Sequence, residues 1–482
     1  MEGPVIDPTR LRIWDHADSD PALVPVPHAV TFCLLAFEGP DRYAQAGGLG
    51  VRVTHLAQTL AETGYETHVL FVGDPSAAGR EERLAGRLIL HRWCQWISAY
   101  HPTGVYDGEE GKLLDFTDSA PPFILEEIIR PALEAGRLPV ILAEEWHTAE
   151  AVIRLRELLA REGLADRVVI FWNANNTKSF NRVDWPRLGT AAKVTTVSRY
   201  MKHRMWEYGV NPLVIPNGIP SEILEPVDRR EIRAVREALD PEGEAILLFK
   251  VGRFDPDKRW ITAVEAAARL KADGEHVVFA LRGGIEGHGH EVLSCARARG
   301  LSIVDVEGNP SSVIDLVMAL RQTSPADIYN LRFFMTQELL RPFYAASDAV
   351  LANSGHEPFG LVGLEAMAAG GLVFTGATGE DYATDGHTSI VVDTDSPDEI
   401  AGAVSSMRAN PARAAAIREA ARERAAVFTW DQIVRILMSK VHFVARSMGI
   451  ALEELMDERG REAVQLRLEL GLKRRVWSGT GG

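Results

Sequence analysis

Asn353-Ser354-Gly355-His356-Glu357-Pro358-Phe359-Gly360-Leu361-Val362-Gly363-Leu364-Glu365-Ala366-Met367-Ala368-Ala369-Gly370-Gly371 is the stretch on which the reading of this chain turns. An apolar run, Ala349–Asn353, leads through a Pro/Gly turn into the helical pattern Leu361–Ala369. Glu357 stands in the turn and Glu365 eight positions later, inside the expected helix. Pro358 and Gly360 shape the entry into that helix, whose free N–H groups and positive dipole end suit an anion such as a phosphate. Sugar hydroxyls and a nucleotide ribose both take fixed carboxylate acceptors, so the layout fits a nucleotide-sugar. It equally fits a plain strand-turn-helix with two solvated glutamates.

Outward from this stretch, short apolar runs alternate with amphipathic ones. Strands are predicted at Val30–Phe37, Thr67–Val72, Val140–Ala143, Val168–Trp172, Val194–Val197, Leu213–Pro216, Ala245–Val251, Val277–Arg282 and Ala349–Asn353. Helical patterns lie between many of them, among them Val51–Thr63, Ala149–Arg161 and Trp260–Ala272. Such alternation predicts an α/β chain of parallel sheets with helices on both faces. Prolines 212, 216, 220 and 226 and the charged stretch Asp228–Glu244 break the pattern midway. The expected organisation is an irregular arm at 1–27, a first Rossmann-like domain at 28–225, a second at 226–428, and a crossover helix and tail at 429–482. In the tail, Leu452, Leu455 and Met456 suit a helix. Leu466, Leu468, Leu470 and Leu472 alternate as in a strand, which would cover an edge or pair with another subunit and leaves a homo-oligomer open.

Composition bounds the function. At 482 residues the chain is too long for one core, and 46% apolar with 25% charged residues is ordinary for globular domains. A net charge of −15 argues against nucleic acid or anionic membrane as the main partner, so a phosphate-bearing ligand needs a local basic site. Cys33, Cys94 and Cys295 are far apart without metal-ligand spacing, which suits a reducing cytoplasm. A basic-then-apolar leader and a run of ~20 apolar residues are both missing, so neither a signal peptide nor a membrane span is expected.

In open α/β sheets ligands bind beyond the carboxyl ends of the strands, and unusual residues collect there. Gly47-Gly48-Leu49-Gly50 follows the first strand and opens a helix; Gly48 and Gly50 would present amides to a phosphate or sugar, or merely form a helix-entry loop. Val53 stands where a dinucleotide fingerprint needs its third glycine. Glu144-Glu145-Trp146-His147-Thr148 places His147 to meet a sugar hydroxyl or developing positive charge, or leaves it a core histidine. Asn173, Asn175 and Asn176 suit a sugar, or close a turn. Lys250-Val251-Gly252-Arg253-Phe254-Asp255-Pro256-Asp257-Lys258-Arg259 offers Arg253 and Lys258 as a diphosphate clamp, unless Asp255 and Asp257 simply neutralise a solvated turn. Gly283-Gly284 lets a ligand approach the next strand end.

These residues carry a family resemblance. From about residue 30 to 445 the chain resembles the retaining, family 4-like glycosyltransferases of the GT-B fold, a group that includes sucrose-phosphate synthase, bacterial mannosyltransferases and, more distantly, glycogen and starch synthases. The run from Glu357-Pro358-Phe359-Gly360-Leu361 through Glu365-Ala366-Met367-Ala368-Ala369-Gly370 looks like the family's Glu–seven–Glu motif. Val197-Ser198, Pro216-Asn217-Gly218-Ile219, Gly252-Arg253 with Lys258, and Ala345-Ala346-Ser347-Asp348 support it. Gly47-Gly48-Leu49-Gly50 and Glu145-Trp146-His147-Thr148 resemble first-domain motifs of the glycogen-synthase branch.

The resemblance implies two Rossmann-like domains facing across a cleft, closing about a 217–240 hinge. Arg253 and Lys258 would hold the donor diphosphate. Glu357 would face the donor sugar, with the amides of Phe359, Gly360 and Leu361 nearby. Glu365 would bind the ribose, and His147 would sit beside the transferred sugar, with Gly48, Gly50, Asn175 and Gly284 lining the donor. The family needs neither cofactor nor metal, because the basic pair does what Mg²⁺ does elsewhere. The implied activity is metal-independent, retaining transfer of a hexose from a nucleoside-diphosphate sugar to a hydroxyl of a sugar, oligosaccharide or glucan, in cytoplasmic carbohydrate biosynthesis. A nucleotide-sugar epimerase or hydrolase on the same fold, and a non-catalytic nucleotide-sugar-binding protein, are the alternatives. The chain departs from the family at Glu145, where glycogen synthases carry Asp, and at Asn175, where a histidine is common. Base, sugar, acceptor and linkage are not readable, nor are the roles of 88–116, 311–340 and 449–482.

Overall fold

Val30-Thr31-Phe32-Cys33-Leu34-Leu35 forms strand β1, buried along its whole length as its near-continuous apolar character requires of a parallel strand covered on both faces. The computed structural model describes residues 29–450, which fall into two compact units. Both the N-terminal arm and the expected tail elements beyond residue 450 lie outside the described residues.

The first unit contains residues up to 196 with 205–215 and the stretch from 431. Its other strands are β2 (Glu66–Val72), β3 (Arg80–Arg83), β4 (Leu88–Trp93), β5 (Leu138–Glu144), β6 (Val169–Ala174), β7 (Lys193–Thr196) and β8 (Leu213–Val214). They form one sheet in the order β3-β4-β2-β1-β5-β6-β7-β8, parallel except for the antiparallel edge strand β3. The second unit, 197–204 and 216–430, holds β9 (Ile246–Val251), β10 (Val277–Arg282), β11 (Ile303–Val306), β12 (Ile328–Leu331), β13 (Ala349–Ala352), β14 (Val373–Thr375) and β15 (Ile390–Val391). Its sheet runs β11-β12-β10-β9-β13-β14-β15, all parallel. In each sheet the strand order reverses beside one strand, between β1 and β5 and between β9 and β13. These reversals mark the crevices where such sheets bind ligands.

Two tracts the sequence could not place contain strands. β4 lies in one, and its apolar run is broken by His91 and Arg92. Both polar groups are partnered inside: His91 Nε2 lies 3.0 Å from His68 Nδ1, and Arg92 Nε and Nη2 donate to Asp41 at 2.8 and 2.9 Å. β12 lies in the other, where buried Asn330 donates to Asp305 at 2.6 Å. Pairing offsets the desolvation cost that makes such residues read as loop.

Residues 216–225, placed in the first domain by their composition, cluster with the second unit. The Ile219 N–H donates to the Phe428 carbonyl at 2.9 Å and the Trp430 N–H to the Ile219 carbonyl at 3.0 Å, so main-chain pairing ties this segment to the unit's end. The helix Trp430–Ser447 matches the long helix expected after Thr429. No helix among the described residues is long and apolar enough to cross a membrane.

Candidate functional site

In the second unit, the chain leaves β9 through a tight basic turn. Asp255 accepts the Asp257 N–H at 3.0 Å and caps the 3₁₀ turn Pro256–Lys258. Fully buried Trp260 begins the helix Trp260–Ala272 and donates its indole N–H to the Arg253 carbonyl at 2.7 Å, pinning the turn to the core. The loop after β13 is drawn onto it, because the Gly355 N–H donates to the Asp257 carbonyl at 2.7 Å. As a result the Lys258 ammonium is ion-paired with the Glu357 carboxylate. Asp255 and Asp257 therefore act through the backbone turn, and Lys258 finds its counter-ion on the other loop. Arg253 is exposed on the same turn. Beneath it Lys250, at the end of β9, is buried and donates to the Leu351 carbonyl at 2.8 Å and to Asn353 Oδ1 at 2.7 Å. Burial, then the neighbouring Lys258 charge, hold the Lys250 amine well below its ordinary pKa.

Gly360 caps the helix Leu361–Ala368 in the left-handed region, φ +81°. A Cβ there would also lie 2.9 Å from the Tyr382 hydroxyl and 3.1 Å from Glu357 Cγ, so both conformation and space demand glycine. Among the described residues no hydrogen bond to the amides of Gly360 and Leu361 is found, which leaves them for an anion. The Phe359 side chain is buried against Tyr382 and Phe428, so only its backbone can serve a ligand. Glu365 is half-buried one turn into the helix, beside Gln337, and burial raises its carboxyl to about 7.

The sequence reading missed the support under Glu357. Its N–H donates to Thr378 Oγ1 at 2.9 Å, its carbonyl accepts the Gly379 N–H at 2.9 Å, and Glu380 Oε2 accepts the Thr378 N–H at 3.0 Å. Glu380 is buried with Oε1 unpartnered; burial first and the Glu357 charge second raise its carboxyl to about 7. The turn Thr378-Gly379-Glu380 after a predictable strand position was the available signal. Gly284 lines a cavity of about 310 Å³ at the ends of β10 and β12, with Arg282, Phe254, Asn330, Phe333 and Phe334. A Cβ on Gly284 would meet the Glu286 carboxylate at 2.2 Å, so a larger residue there would displace that side chain.

In the first unit the loop at Gly47–Gly50 is filled by the protein itself. Buried Glu38 accepts the N–H groups of Ala46, Gly47 and Gly50 on Oε2 at 3.2, 2.9 and 3.0 Å. The Gly50 amide expected to face a ligand is thus committed to Glu38, while Gly48 is exposed. Tyr106 donates to Glu38 Oε1 at 2.6 Å. At the end of β5, Glu145 sits at φ +66°, ψ 167°, a conformation essentially reserved for glycine. It is held there by Asn175 N–H at 2.6 Å and Asn176 N–H at 3.2 Å, and burial raises its carboxyl to about 8. Asn175 Nδ2 donates to Glu144 Oε2 at 2.8 Å, and Glu144 in turn takes Arg52 at 3.0 Å. Asn175 is thereby turned onto the protein's own carboxylates. His147 is buried, stacked between Trp146 at 3.8 Å and Phe37 at 4.4 Å. Its Nε2 lies 2.7 Å from Glu109 Oε1 and its Nδ1 has no partner; burial lowers the imidazole to about 4.

Residues 46–223 match the Glycosyltransferase Family 4 model and residues 324–424 the model of glycosyl transferases group 1. The chain is 31% identical over 249 residues to a D-inositol 3-phosphate glycosyltransferase of Geodermatophilus obscurus, an overlap of 51% of this chain and 50% of that one. Here the chain spans about half the length of the relative it matches. It is 25% identical over 426 residues to the protein of the same description from Kribbella flavida, covering 84% of this chain and 92% of that relative. Among solved structures, sucrose-phosphate synthase from Thermosynechococcus elongatus superposes with a TM-score of 0.62 at 20% identity, over 86% of this chain and 99% of that one. With two doubly wound parallel sheets and these matches, the chain belongs to the GT-B-fold glycosyltransferases, a family 4 segment preceding a group 1 segment.

Proposed function

We propose that the chain transfers a hexose, with retention, from a nucleoside-diphosphate sugar to a hydroxyl of a carbohydrate or related polyol. The observation that carries this reading is the join of Lys258 to Glu357 at the mouth of the β9/β13 crevice, directly before the helix start at Leu361. Arg253, Lys258 and the amides of Gly360 and Leu361 would stabilise charge developing on the departing phosphate. Phe359 contributes its backbone alone. Glu357 orients the sugar hydroxyls, and Glu365 takes the ribose. The cavity beside Gly284 suits a flat base, since the exposed Phe334 ring and the Arg282 guanidinium, 5.8 Å apart, offer stacking surfaces. The acceptor hydroxyl attacks from the face the phosphate leaves, and that phosphate takes its proton. In this reading the basic pair serves in place of a metal ion.

The test is a panel. Melting temperature is measured with UDP, ADP and GDP and with their glucose and mannose conjugates, since a ligand selective for the folded state must raise it. Cleavage of the stabilising donor is then followed alone and with glucose, maltose or D-inositol 3-phosphate, with and without EDTA. Acceptor-dependent release of the nucleotide, unchanged by EDTA and yielding an α-linked product from an α-linked donor, is expected. Conversion of the donor sugar without an acceptor would instead identify an epimerase, and tight binding without turnover a non-catalytic binder.

A further inference from the structure

The segment between β4 and the helix Glu109–Ile124 matched no motif, yet it delivers a carboxylate to His147. Gly108, at φ +68°, turns the chain into that helix and sets Glu109 at its first position. The turn before it is fixed from inside: buried Lys112 donates to the carbonyls of Gly104 and Val105 at 3.1 and 3.2 Å and to the Tyr43 hydroxyl at 2.6 Å. Glu109 is therefore held on an anchored element, as a binding group must be.

The histidine has no face left for a ligand. One ring face lies on Trp146 and the other on Phe37, Nε2 is on Glu109, and Nδ1 is sealed from solvent. Glu109 is different. Its side chain is 33% exposed, only Oε1 is engaged by the imidazole, and no partner for Oε2 is found among the described residues. Beside the imidazole stack stand Tyr106, 40% exposed, and Arg182, exposed with its guanidinium 4.1 Å over the Trp146 ring. Arg182 has no carboxylate partner among the described residues, so the Glu109 charge is not consumed by it.

We propose that Glu109 is the residue of the first unit that binds the acceptor, its free oxygen accepting a hydrogen bond from an acceptor hydroxyl, and that His147 acts through it as a positioning residue. This rests on the transferase reading and extends it to the acceptor side. An imidazole that donates from Nε2 fixes the carboxylate's rotamer and leaves its outer oxygen aimed away from the stack. A hydroxyl then meets a preoriented acceptor, and binding need not order that side chain.

The experiment uses the whole chain with the donor selected by the panel above and glucose, maltose and D-inositol 3-phosphate as acceptor probes. For the probe that supports turnover, E109Q and E109A are expected to raise acceptor KM about 10-fold or more, the size of one hydrogen bond to a charged group, with donor KM within twofold. H147A is expected to do the same. H147Q, whose amide nitrogen falls near the Nε2 position, recovers most of the loss, which a packing role alone would not produce. Unchanged acceptor KM in both Glu109 variants of an active enzyme overturns the assignment, as does an effect confined to donor KM. A wild-type chain that turns over no donor with any probe overturns the transferase reading itself.

Discussion

The Lys258 ammonium and the Glu357 carboxylate, assigned by their motifs to phosphate and to sugar, are ion-paired with each other. The cation is thus neutralised by the chain's own anion before any ligand arrives, and a diphosphate must compete for it. Both side chains keep partial contact with solvent, 27% and 17% exposed. The pair is therefore worth little to folding and can be opened by a ligand.

Lys258→Ala removes the charge that meets the departing phosphate. Turnover of the donor is expected to fall on the order of 10²–10³-fold, as when one preorganised stabilising group is lost. Folding stability should change by about 1 kcal/mol or less. Steady-state donor cleavage alongside a urea melt checks both, and an unchanged rate sinks the clamp.

Glu357→Gln carries the opposite sign for the bare product. Freed of its counter-ion, Lys258 is available to phosphate. Nucleoside diphosphate should bind several-fold tighter, about 1 kcal/mol, while sugar-dependent turnover falls. Calorimetric titration of wild type and variant with the diphosphate decides it; weaker binding shows that Glu357 does not compete.

Glu38 closes the Gly47–Gly50 loop with three main-chain hydrogen bonds on one buried oxygen. Glu38→Ala leaves those amides without their acceptor and should cost about 1–3 kcal/mol. Chemical denaturation should show a lower midpoint at unchanged slope.

Stability should depend on pH with a sign set by burial. An unfolded glutamate titrates near ~4.3, whereas burial raises Glu145 to about 8 and Glu365 and Glu380 to about 7. Between the unfolded and folded values the native state holds protons that the unfolded state releases. These groups therefore lose stability as pH rises through that window. His91, lowered to about 3, and His147, lowered to about 4, act the other way, since the unfolded imidazole holds a proton up to about 6.5 that the native one lacks. Above that pH the histidines no longer contribute, and the buried Lys250 amine, held well below its ordinary pKa, opposes the carboxyls. The contribution of Glu145 is therefore read as a difference: between about pH 6.5 and 8.5 Glu145→Gln should make the slope of melting temperature against pH more positive than in the wild type. An unchanged slope contradicts the assignment.

The strand-turn-helix of Glu357 and Glu365, the basic turn of Arg253 and Lys258 and the helix Trp260–Ala272 were legible because each is local. Periodicity, turn residues and capping act over a few positions of chain. β4 and β12 were not, since His91, Arg92 and Asn330 read as surface until His68 on β2, Asp41 in the loop after β1 and Asp305 on β11 satisfy them.

By itself the sequence determined two doubly wound halves and which strand ends carry polar residues, because apolar alternation and glycine turns leave few other ways to bury a core. Tertiary structure alone decided what those residues face. It joined Lys258 to Glu357, turned Asn175 onto Glu144, filled the glycine loop with Glu38 and sealed His147 behind Glu109. Partners 8 to 99 positions apart leave little local signature, and a buried polar group takes whichever partner the packing brings within reach.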